Sequence, residues 1–250
     1  MTDPLFLLDG LADPLPMVGA HLTLGGDEGR HAAVVRRIRP GEMIMIGNGR
    51  GGGVRGVVVE VGVADLVVEV TNHLTSHPEP RRFVAAQALA KGDRSELAVE
   101  MMTEMGVQEI VPWQAARSIV RWSSERAARS LARWVSTARE AAKQSRRLTV
   151  PQVSEPVTTR QLAQRVASVD LALLLYEESA ESLAEVDLPA TGTVMIIIGP
   201  EGGVSAEEIS ELTQAGARPV SISDAVLRTS TAGVVALAGL KLRREPVGAS

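Results

Sequence analysis

The stretch from Ile196 to Ile209 constrains the fold more than any other part of this sequence. Val194–Ile198 is a short, wholly apolar run, which is typical of a strand buried on both faces of a parallel sheet. The glycine-rich segment Gly199–Gly203 follows, and its glycines permit a tight turn and a close approach of a ligand to the main chain. Ser205 and Glu208 have the spacing of a capping box, which predicts that a helix begins there.

A loop that leaves the carboxyl end of a parallel strand is where open α/β sheets bind ligands. The segment Gly199–Gly203 is neither a Walker phosphate loop nor a dinucleotide fingerprint, because it lacks both Gly-Lys-Ser/Thr and Gly-x-Gly-x-x-Gly. Glu201 would repel a phosphate, but it could accept hydrogen bonds or lie beside a cation. The alternative is an ordinary strand-to-helix turn with no ligand, and the spacing alone leaves both interpretations open.

The amino-acid composition excludes several classes of protein. The chain has 250 residues, 45% of them hydrophobic, which is enough for a sizeable core. It has no cysteine, and its four histidines lack ligand spacing, so we expect no disulfide and no metal site. The start resembles no signal peptide, and no apolar run approaches the ~20 residues of a membrane helix. We therefore expect a cytoplasmic protein without membrane attachment.

Charge is distributed unevenly along the chain. The net charge is −4, yet Arg117–Arg147 carries nine basic and two acidic residues. Val166–Ala217 has no lysine or arginine and ten acids. A local basic patch sets the field that a phosphate backbone experiences, so Arg117–Arg147 is a candidate RNA-binding segment. A solvated helix face is the other explanation.

The first 72 residues resemble an all-β domain, and short strands at this spacing suggest a small barrel. The predicted strands are Leu5–Leu8, His21–Leu24, Met43–Ile46, Val54–Val61 and Leu66–Val70. A short helix is predicted within His31–Gly41, where Arg36, Arg37 and Arg39 either contact phosphates or form a solvated helix end.

Strands and helices alternate after a polar linker, Asn72–Arg82, which predicts a parallel sheet with helices on its faces. The predicted strands are Phe83–Leu89, Gln108–Val111, Leu171–Leu175, Val194–Ile198 and Pro219–Ile222. The predicted helices are one beginning at Asp93 and those at Arg126–Arg147, Glu178–Ala184, Ser205–Ala215 and Thr229–Leu242.

Three loops follow the last three predicted strands: Tyr176–Glu177, Gly199–Gly203 and Ser223–Thr231. If these strands are neighbours, the loops meet at one edge of the sheet. They offer main-chain groups, small side chains, an arginine and a glutamate, and the chain has no Gly-x-Ser-x-Gly elbow. That inventory suits a cofactor that brings its own reactivity.

Several motifs in order resemble the trefoil-knotted (SPOUT) RNA methyltransferases, and most closely the small-subunit ribosomal RNA methyltransferase E family. The resemblance rests on Gly199-Pro200-Glu201-Gly202-Gly203 followed by Leu227-Arg228-Thr229-Ser230-Thr231-Ala232, and it spans nearly the whole chain. The segments His31–Gly41, Lys91–Gly106 and Glu140–Pro151 resemble further family stretches. Ser230 departs from the glutamate that many members carry.

The resemblance implies the fold and the chemistry. It implies an α/β fold with an N-terminal PUA-like β-barrel, residues 1–75, and a C-terminal trefoil-knotted parallel-sheet (SPOUT) domain, residues 76–250. It implies methylation of N3 of a uridine in 16S rRNA of the small ribosomal subunit, with S-adenosylmethionine as cofactor, by a homodimer.

The resemblance also implies roles for individual residues. Arg228 is the catalytic candidate, and Arg37 and Arg147 are candidates for RNA contacts. The implied cofactor contacts are Glu177, Gly199, Glu201, Gly202, Ile222, Leu227 and Thr231. A structural ion pair of Arg228 with Glu201 or Asp224 is the alternative for that arginine.

Three other functions compete with this one. The chain could be a trefoil methyltransferase of 23S rRNA or tRNA, or a non-catalytic assembly factor on the same fold. It could also be a plain nucleotide-binding α/β domain, which the missing phosphate-loop lysine disfavours.

Overall fold

The computed structural model describes residues 3–243 and divides the chain into two compact units. Residues 3–78 and 140–150 form the first unit, and residues 79–139 and 151–243 form the second. The chain thus returns to the first unit after leaving it, which the sequence analysis does not anticipate.

The first unit is built on a five-stranded sheet in the order β1-β3-β4-β5-β2. Its strands are β1 (Leu5–Leu7), β2 (His21–Leu24), β3 (Met43–Gly47), β4 (Gly52–Val61) and β5 (Leu66–Thr75). β1 pairs with β3 in parallel, whereas the other pairs are antiparallel. The predicted strands of this region are therefore confirmed. Their alternating apolar residues, such as Ile44, Ile46, Val54 and Val58, form a buried cluster.

The helix predicted over His31–Gly41 begins earlier and ends sooner. Helix α1 spans Gly26–Arg30 and continues as a π-helical turn, His31–Val35. Arg37 has a φ of 55°, a left-handed conformation that ends the helix. Ala32 and Ile38 are buried beneath this segment, while the side chains between Val34 and Arg37 are exposed.

A buried cation in residues 140–150 bonds to α1 within the first unit. Lys143 Nζ donates to Glu28 Oε1 at 2.8 Å and to Glu140 Oε1 at 2.9 Å. The Lys143 side chain is only 7% exposed. The other carboxylate oxygen of Glu28 is buried and has no hydrogen-bond partner within residues 3–243. Lys143 is therefore the group that balances a buried charge on α1.

The second unit contains a six-stranded, wholly parallel sheet in the order β11-β9-β10-β6-β7-β8. Its strands are β6 (Arg81–Ala88), β7 (Glu109–Trp113), β8 (Gln152–Val153), β9 (Leu171–Leu175), β10 (Gly192–Ile198) and β11 (Ala217–Val220). Its helices are α2 (Arg94–Glu104), α3 (Ser124–Gln144, which ends in the first unit), α4 (Thr159–Val166), α5 (Ala206–Gln214) and α6 (Thr229–Leu242). The predicted parallel sheet is confirmed.

Helices cover the sheet as the alternating pattern predicts. Leu162 of α4 and Leu212 of α5 pack in one buried cluster with Val84 and Ile197 of the sheet. Helix α6 packs on β10, β6 and α2. Gly233 permits this contact, since a Cβ there would lie 2.7 Å from Met102 Sδ. The small residues of α6 thus allow close packing within this unit.

Some predicted elements are wrong in whole or in part. The predicted linker Asn72–Arg82 does contain the boundary between the two units, after Pro78, but its ends are strand, because β5 continues to Thr75 and β6 begins at Arg81. The helix predicted at Glu178–Ala184 is a turn followed by one 3-10 turn, Leu183–Glu185. Within this turn the Ser179 hydroxyl donates to the Pro219 carbonyl, at 2.8 Å. Strand β8 and helix α4 were not predicted.

Candidate active site

Three loops meet at the carboxyl edge of the second unit's sheet. They follow β9, β10 and β11, which are neighbours in the order β11-β9-β10, so the predicted convergence is confirmed. Together they enclose a cavity of about 270 Å³. The residues lining it are Arg94, Leu175, Tyr176, Glu177, Ile198, Gly199, Pro200, Glu201, Gly203, Val204, Ile222, Ser223, Ala225, Val226, Leu227, Arg228, Thr229 and Ala232.

The glycine-rich loop after β10 is shaped by close packing. A Cβ on Gly199 would lie 2.7 Å from Val204 Cγ2, so a side chain at this position would press on the cavity wall. Gly203 has a φ of 72°, which favours glycine. Ser205 then caps α5 with Glu208, so the predicted capping box is confirmed. Main-chain atoms therefore form this side of the cavity.

Glu208 does more than cap its helix. Its Oε1 atom accepts hydrogen bonds from the Ala116 N–H at 2.8 Å and the Thr159 hydroxyl at 2.7 Å. The carboxylate is buried and joins α5 to α4 and to the loop after β7. It thus fixes the outer end of the glycine-rich loop.

Thr229, at the start of α6, connects three elements of the site. Its hydroxyl donates to the Gly199 carbonyl at 2.7 Å and accepts from Gln87 Nε2 at 3.0 Å. Gln87 lies opposite Ile198 in the β6–β10 register. Thr229 is buried, so these bonds are shielded from water. They hold the first turn of α6 against the end of β10.

The loops after β9 and β11 are also joined. The Tyr176 N–H donates to the Val220 carbonyl at 2.9 Å, and the Ser221 N–H donates to the Glu181 carbonyl at 2.8 Å. These bonds continue the pairing of β9 with β11 beyond the strand ends. The loops after β9 and β11, which border the cavity, are thus connected to each other by main-chain hydrogen bonds.

Two carboxylates line the cavity, and one has an arginine partner. Glu201 Oε1 accepts from the Lys91 N–H at 3.3 Å and lies 3.8 Å from Arg94 Nη1. Arg94, the first residue of α2, was not predicted as a site residue. The only sequence signal for it is its place in Lys91–Gly106, where the family resemblance was noted. Glu177 contributes the second carboxylate, on the loop after β9.

Arg228 lines the cavity and is exposed. Within residues 3–243 no carboxylate lies in ion-pair contact with it, so a pair with Glu201 or Asp224 is not formed. Its guanidinium is a cation available to a ligand at the cavity mouth.

Tyr176 adds a phenol to this edge. Its hydroxyl donates to Glu178 Oε2 at 2.5 Å. This bond to a carboxylate, with some burial, raises the pKa of Tyr176 above its usual value, so the phenol stays protonated at neutral pH.

The sequence-predicted site residues fall into three groups. Glu177, Gly199, Glu201, Ile222, Leu227 and Arg228 line the cavity. Gly202 and Thr231 are not in its lining, although Gly202 adjoins Glu201 and Thr231 lies in the first turn of α6. Arg37 and Arg147 belong to the first unit.

Residues 3–243 contain no cluster of three or more histidine, aspartate or glutamate side chains placed to hold a metal ion. None of the helices in that range combines the length and apolarity needed to span a bilayer.

Comparisons with known proteins place both units. Residues 77–241 match the model of an RNA methyltransferase domain, and residues 24–63 match that of an RNA methyltransferase PUA domain. A ribosomal RNA small subunit methyltransferase E of Mycobacterium bovis is 42% identical, with 90% of this chain and 87% of the relative covered.

Solved structures agree in fold. A ribosomal RNA small subunit methyltransferase E from Neisseria gonorrhoeae, bound to S-adenosyl methionine, is similar with a TM-score of 0.86 and 29% identity. That alignment covers 96% of this chain and 97% of the other. A methyltransferase from Legionella pneumophila, in complex with the same cofactor, has a TM-score of 0.85 at 29% identity, with 96% and 98% covered.

Proposed function

Because the chain belongs to the ribosomal RNA small subunit methyltransferase E family, we propose that it methylates N3 of a uridine in 16S rRNA, using S-adenosylmethionine. The observation that carries this proposal is the cavity at the carboxyl edge of β9, β10 and β11, with the unpaired Arg228 at its mouth. The substrate is the small ribosomal subunit, and the protein acts in the cytoplasm, where that substrate is found.

The cavity residues suit S-adenosylmethionine. Ile198, Ile222 and Leu227 give an apolar surface for a flat adenine ring, and Gly199 lines the cavity beside Ile198. Glu177 and Glu201 supply negative charge for a cofactor that carries an ammonium and a sulfonium group. The residues that would hold the cofactor are Glu177, Gly199, Glu201, Gly202, Ile222, Leu227 and Thr231.

The proposed role of the protein is positioning and charge stabilisation. When bound, S-adenosylmethionine supplies an electrophilic methyl group. Holding the reacting atoms in line can contribute ~7–11 kcal/mol in favourable cases. Uracil N3 carries a proton at neutral pH, and its loss leaves negative charge on the uracil oxygens. Arg228 stabilises that charge, since a fixed cation at a developing anion lowers the barrier.

The proton acceptor at N3 is a group other than Ser230. Ser230 stands where many family members carry glutamate, and it is buried in the first turn of α6. Its hydroxyl is a poor base. Water is the acceptor that we propose.

RNA binding is proposed to involve Arg37 and Arg147, both of which belong to the first unit. Arg37 is exposed at the end of the π-helical turn, and Arg147 follows α3. Neutralising phosphates with arginines releases counterions, so binding should weaken steeply as salt rises. A flat salt dependence would count against these contacts.

Two architectural features implied by the resemblance complete the proposal. We propose that the C-terminal segment forms a trefoil knot, so that the loops after β10 and β11 are threaded around the cofactor. We also propose that the protein acts as a homodimer. The strand order β11-β9-β10 is compatible with such threading.

The test measures methyl transfer from labelled cofactor to small ribosomal subunits, followed by mass spectrometry of the rRNA. Arg228→Ala should lower the turnover by about 10²-fold or more while calorimetry shows cofactor binding unchanged. Arg160, exposed on α4, is the matched control, and Arg160→Ala should behave as the wild type. Normal turnover in Arg228→Ala would remove that residue from the mechanism.

The same measurements discriminate the other functions. Methylation of 23S rRNA or tRNA in place of 16S rRNA would identify a different RNA substrate. If calorimetry shows no binding of S-adenosylmethionine, the protein is a non-catalytic assembly factor.

A further inference from the structure

An exposed aliphatic side chain stands at the tip of the loop between β7 and α3. Ile119 is 67% exposed, and it lies two residues from Arg117 and two from Arg121, both of which are exposed. Leaving an isoleucine side chain in water forgoes ~1.5–3 kcal/mol of burial free energy. A single exposed aliphatic residue is common on protein surfaces and does not by itself indicate a function. The residues around Ile119 therefore have to supply the evidence for one.

The base of this loop is firmly held. The Ala116 N–H donates to Glu208 at 2.8 Å, and the Trp122 N–H donates to Gln114 Oε1 at 3.2 Å. The Arg121 guanidinium donates to the Ala116 carbonyl at 3.3 Å, which closes the loop on itself. The Trp122 ring meets the buried Trp134 of α3 edge to face, with centroids 5.3 Å apart. The loop that carries Ile119 is therefore held in place at its base by these hydrogen bonds and by the ring contact.

The loop lies directly beside the glycine-rich turn of the cavity. Arg117 Nη1 donates to the Gly202 carbonyl at 3.4 Å. A Cβ on Gly202 would lie 3.1 Å from the Arg117 carbonyl oxygen, so the two main chains touch here. Gly203, the next residue, lines the cavity. Ile119 is thus two residues from Arg117, which contacts the loop that borders the cavity.

We propose that Ile119 is a wedge that inserts into the rRNA beside the target uridine, while Arg117 and Arg121 bind the flanking phosphates. This inference rests on the proposed function, because N3 lies on the pairing edge and the base must leave its stack to react. Extracting a base costs a few kcal/mol. Apolar side chains such as isoleucine are used by nucleic-acid-binding proteins to separate stacked bases.

The charge around the tip favours RNA over a protein partner. The segment from Ala116 to Ser123 contains two arginines and no acidic residue. In RNA, a stacked base has a phosphate on each side of it in the chain. The apolar side chain of Ile119 could contact the base while the arginine on each side of it contacts a phosphate. A protein contact would instead make Ile119 part of an apolar patch, and its neighbours along the loop are arginine, serine and valine.

The test compares Ile119→Ala with Ile119→Leu in methyl transfer to small ribosomal subunits. We expect Ile119→Ala to lower kcat/KM by about 10- to 100-fold, since the wedge offsets part of the cost of extracting the base. Ile119→Leu keeps an apolar tip and should retain most activity. Calorimetry should show unchanged cofactor binding in both variants. Val63→Ala is the control, because Val63 is a 94% exposed aliphatic residue on the β4–β5 turn.

The arginines are tested separately by salt dependence. Arg117→Gln and Arg121→Gln should each reduce the slope of log affinity against log salt by about one unit or less. Arg160→Gln should leave the slope unchanged. Unchanged slopes in both loop variants would overturn the phosphate contacts.

Failure of this inference is distinguishable from failure of the proposed function. If Ile119→Ala methylates subunits as fast as the wild type, the wedge is overturned and the methyltransferase function stands. If Ile119→Ala changes the oligomeric state in size-exclusion chromatography, Ile119 contacts another copy of this chain, and the wedge is likewise overturned. If the wild type itself transfers no methyl group to small-subunit rRNA, the proposed function fails.

Discussion

The Thr229 hydroxyl donates a 2.7 Å hydrogen bond to the carbonyl of Gly199, and so the first turn of α6 is joined to the end of β10. The same hydroxyl accepts from Gln87 on β6. One buried threonine therefore aligns the glycine-rich loop with the loop that carries Arg228.

Replacing Thr229 with valine should destabilise the protein and weaken its binding of S-adenosylmethionine. The valine keeps the shape but removes the hydroxyl that bonds the Gly199 carbonyl, and it removes one of the two hydrogen bonds of Gln87 Nε2, which still donates to the Ala88 carbonyl at 3.1 Å. Losing these bonds costs about 1–3 kcal/mol. Chemical denaturation and calorimetry measure the two effects. Thr213→Val, on the exposed face of α5, is the control and should change little. An unchanged cofactor affinity in Thr229→Val would show that the loop holds its shape by other means.

Replacing Gly199 with alanine should narrow the cavity. The added Cβ would lie 2.7 Å from Val204 Cγ2, so the loop or Val204 must shift. We expect a loss of about 1–3 kcal/mol in stability and weaker cofactor binding, measured by thermal denaturation and calorimetry. Gly10→Ala is the control substitution, because a Cβ at Gly10 would meet no atom within 4 Å. It should change neither the stability nor the cofactor binding.

Glu109 should make the second unit sensitive to acid. Burial by itself raises the pKa of Glu109, but hydrogen bonds from Ser154, Arg165 and Arg82 outweigh it and leave the pKa below its usual 4.5. A folded-state pKa below the unfolded one gives stability that is present above the unfolded value. That stability is lost as the pH falls through the folded value.

Glu109→Gln should therefore cost about 1.5 kcal/mol near neutral pH, towards the low end for charged hydrogen bonds because both arginines are partly exposed. The difference from the wild type should shrink below about pH 4.5. Urea denaturation across the pH range measures it, with the exposed Glu211→Gln as the control. A constant difference at every pH would contradict the assigned cause.

Lys143 should be costly to remove alone and less costly together with Glu28. Lys143→Met leaves the buried carboxylate of Glu28 without its cation, which should cost roughly 3–5 kcal/mol. Adding Glu28→Met removes that orphan charge and should restore part of the loss. Denaturant unfolding of both single variants and the double variant gives the coupling energy. Purely additive losses would show that the pair is not coupled.

The parts of the structure that sequence predicts well are those with local causes. The strand Val194–Ile198, the glycines after it and the Ser205–Glu208 capping box are set by neighbouring residues, and all were predicted. The convergence of three loops follows from the alternation of strands and helices, because parallel strands share an edge.

The parts that were missed depend on distant residues. Strand β8 is only two residues long, too short for a periodic pattern. Glu178–Ala184 has a helical composition, yet its backbone and side chains bond to β11 and the residue after it, about 40 positions away. Arg94 reaches the cavity only because β6 neighbours β10.

The first unit is assembled from two separate segments of the gene product. A fragment that stops at residue 78 would keep Glu28 but lack Lys143, so the Glu28 carboxylate would lose the cation that lies 2.8 Å from it. Truncation at the apparent domain boundary is therefore a poor way to isolate an RNA-binding module. A fused fragment that supplies residues 140–150 through a short linker would be the rational alternative.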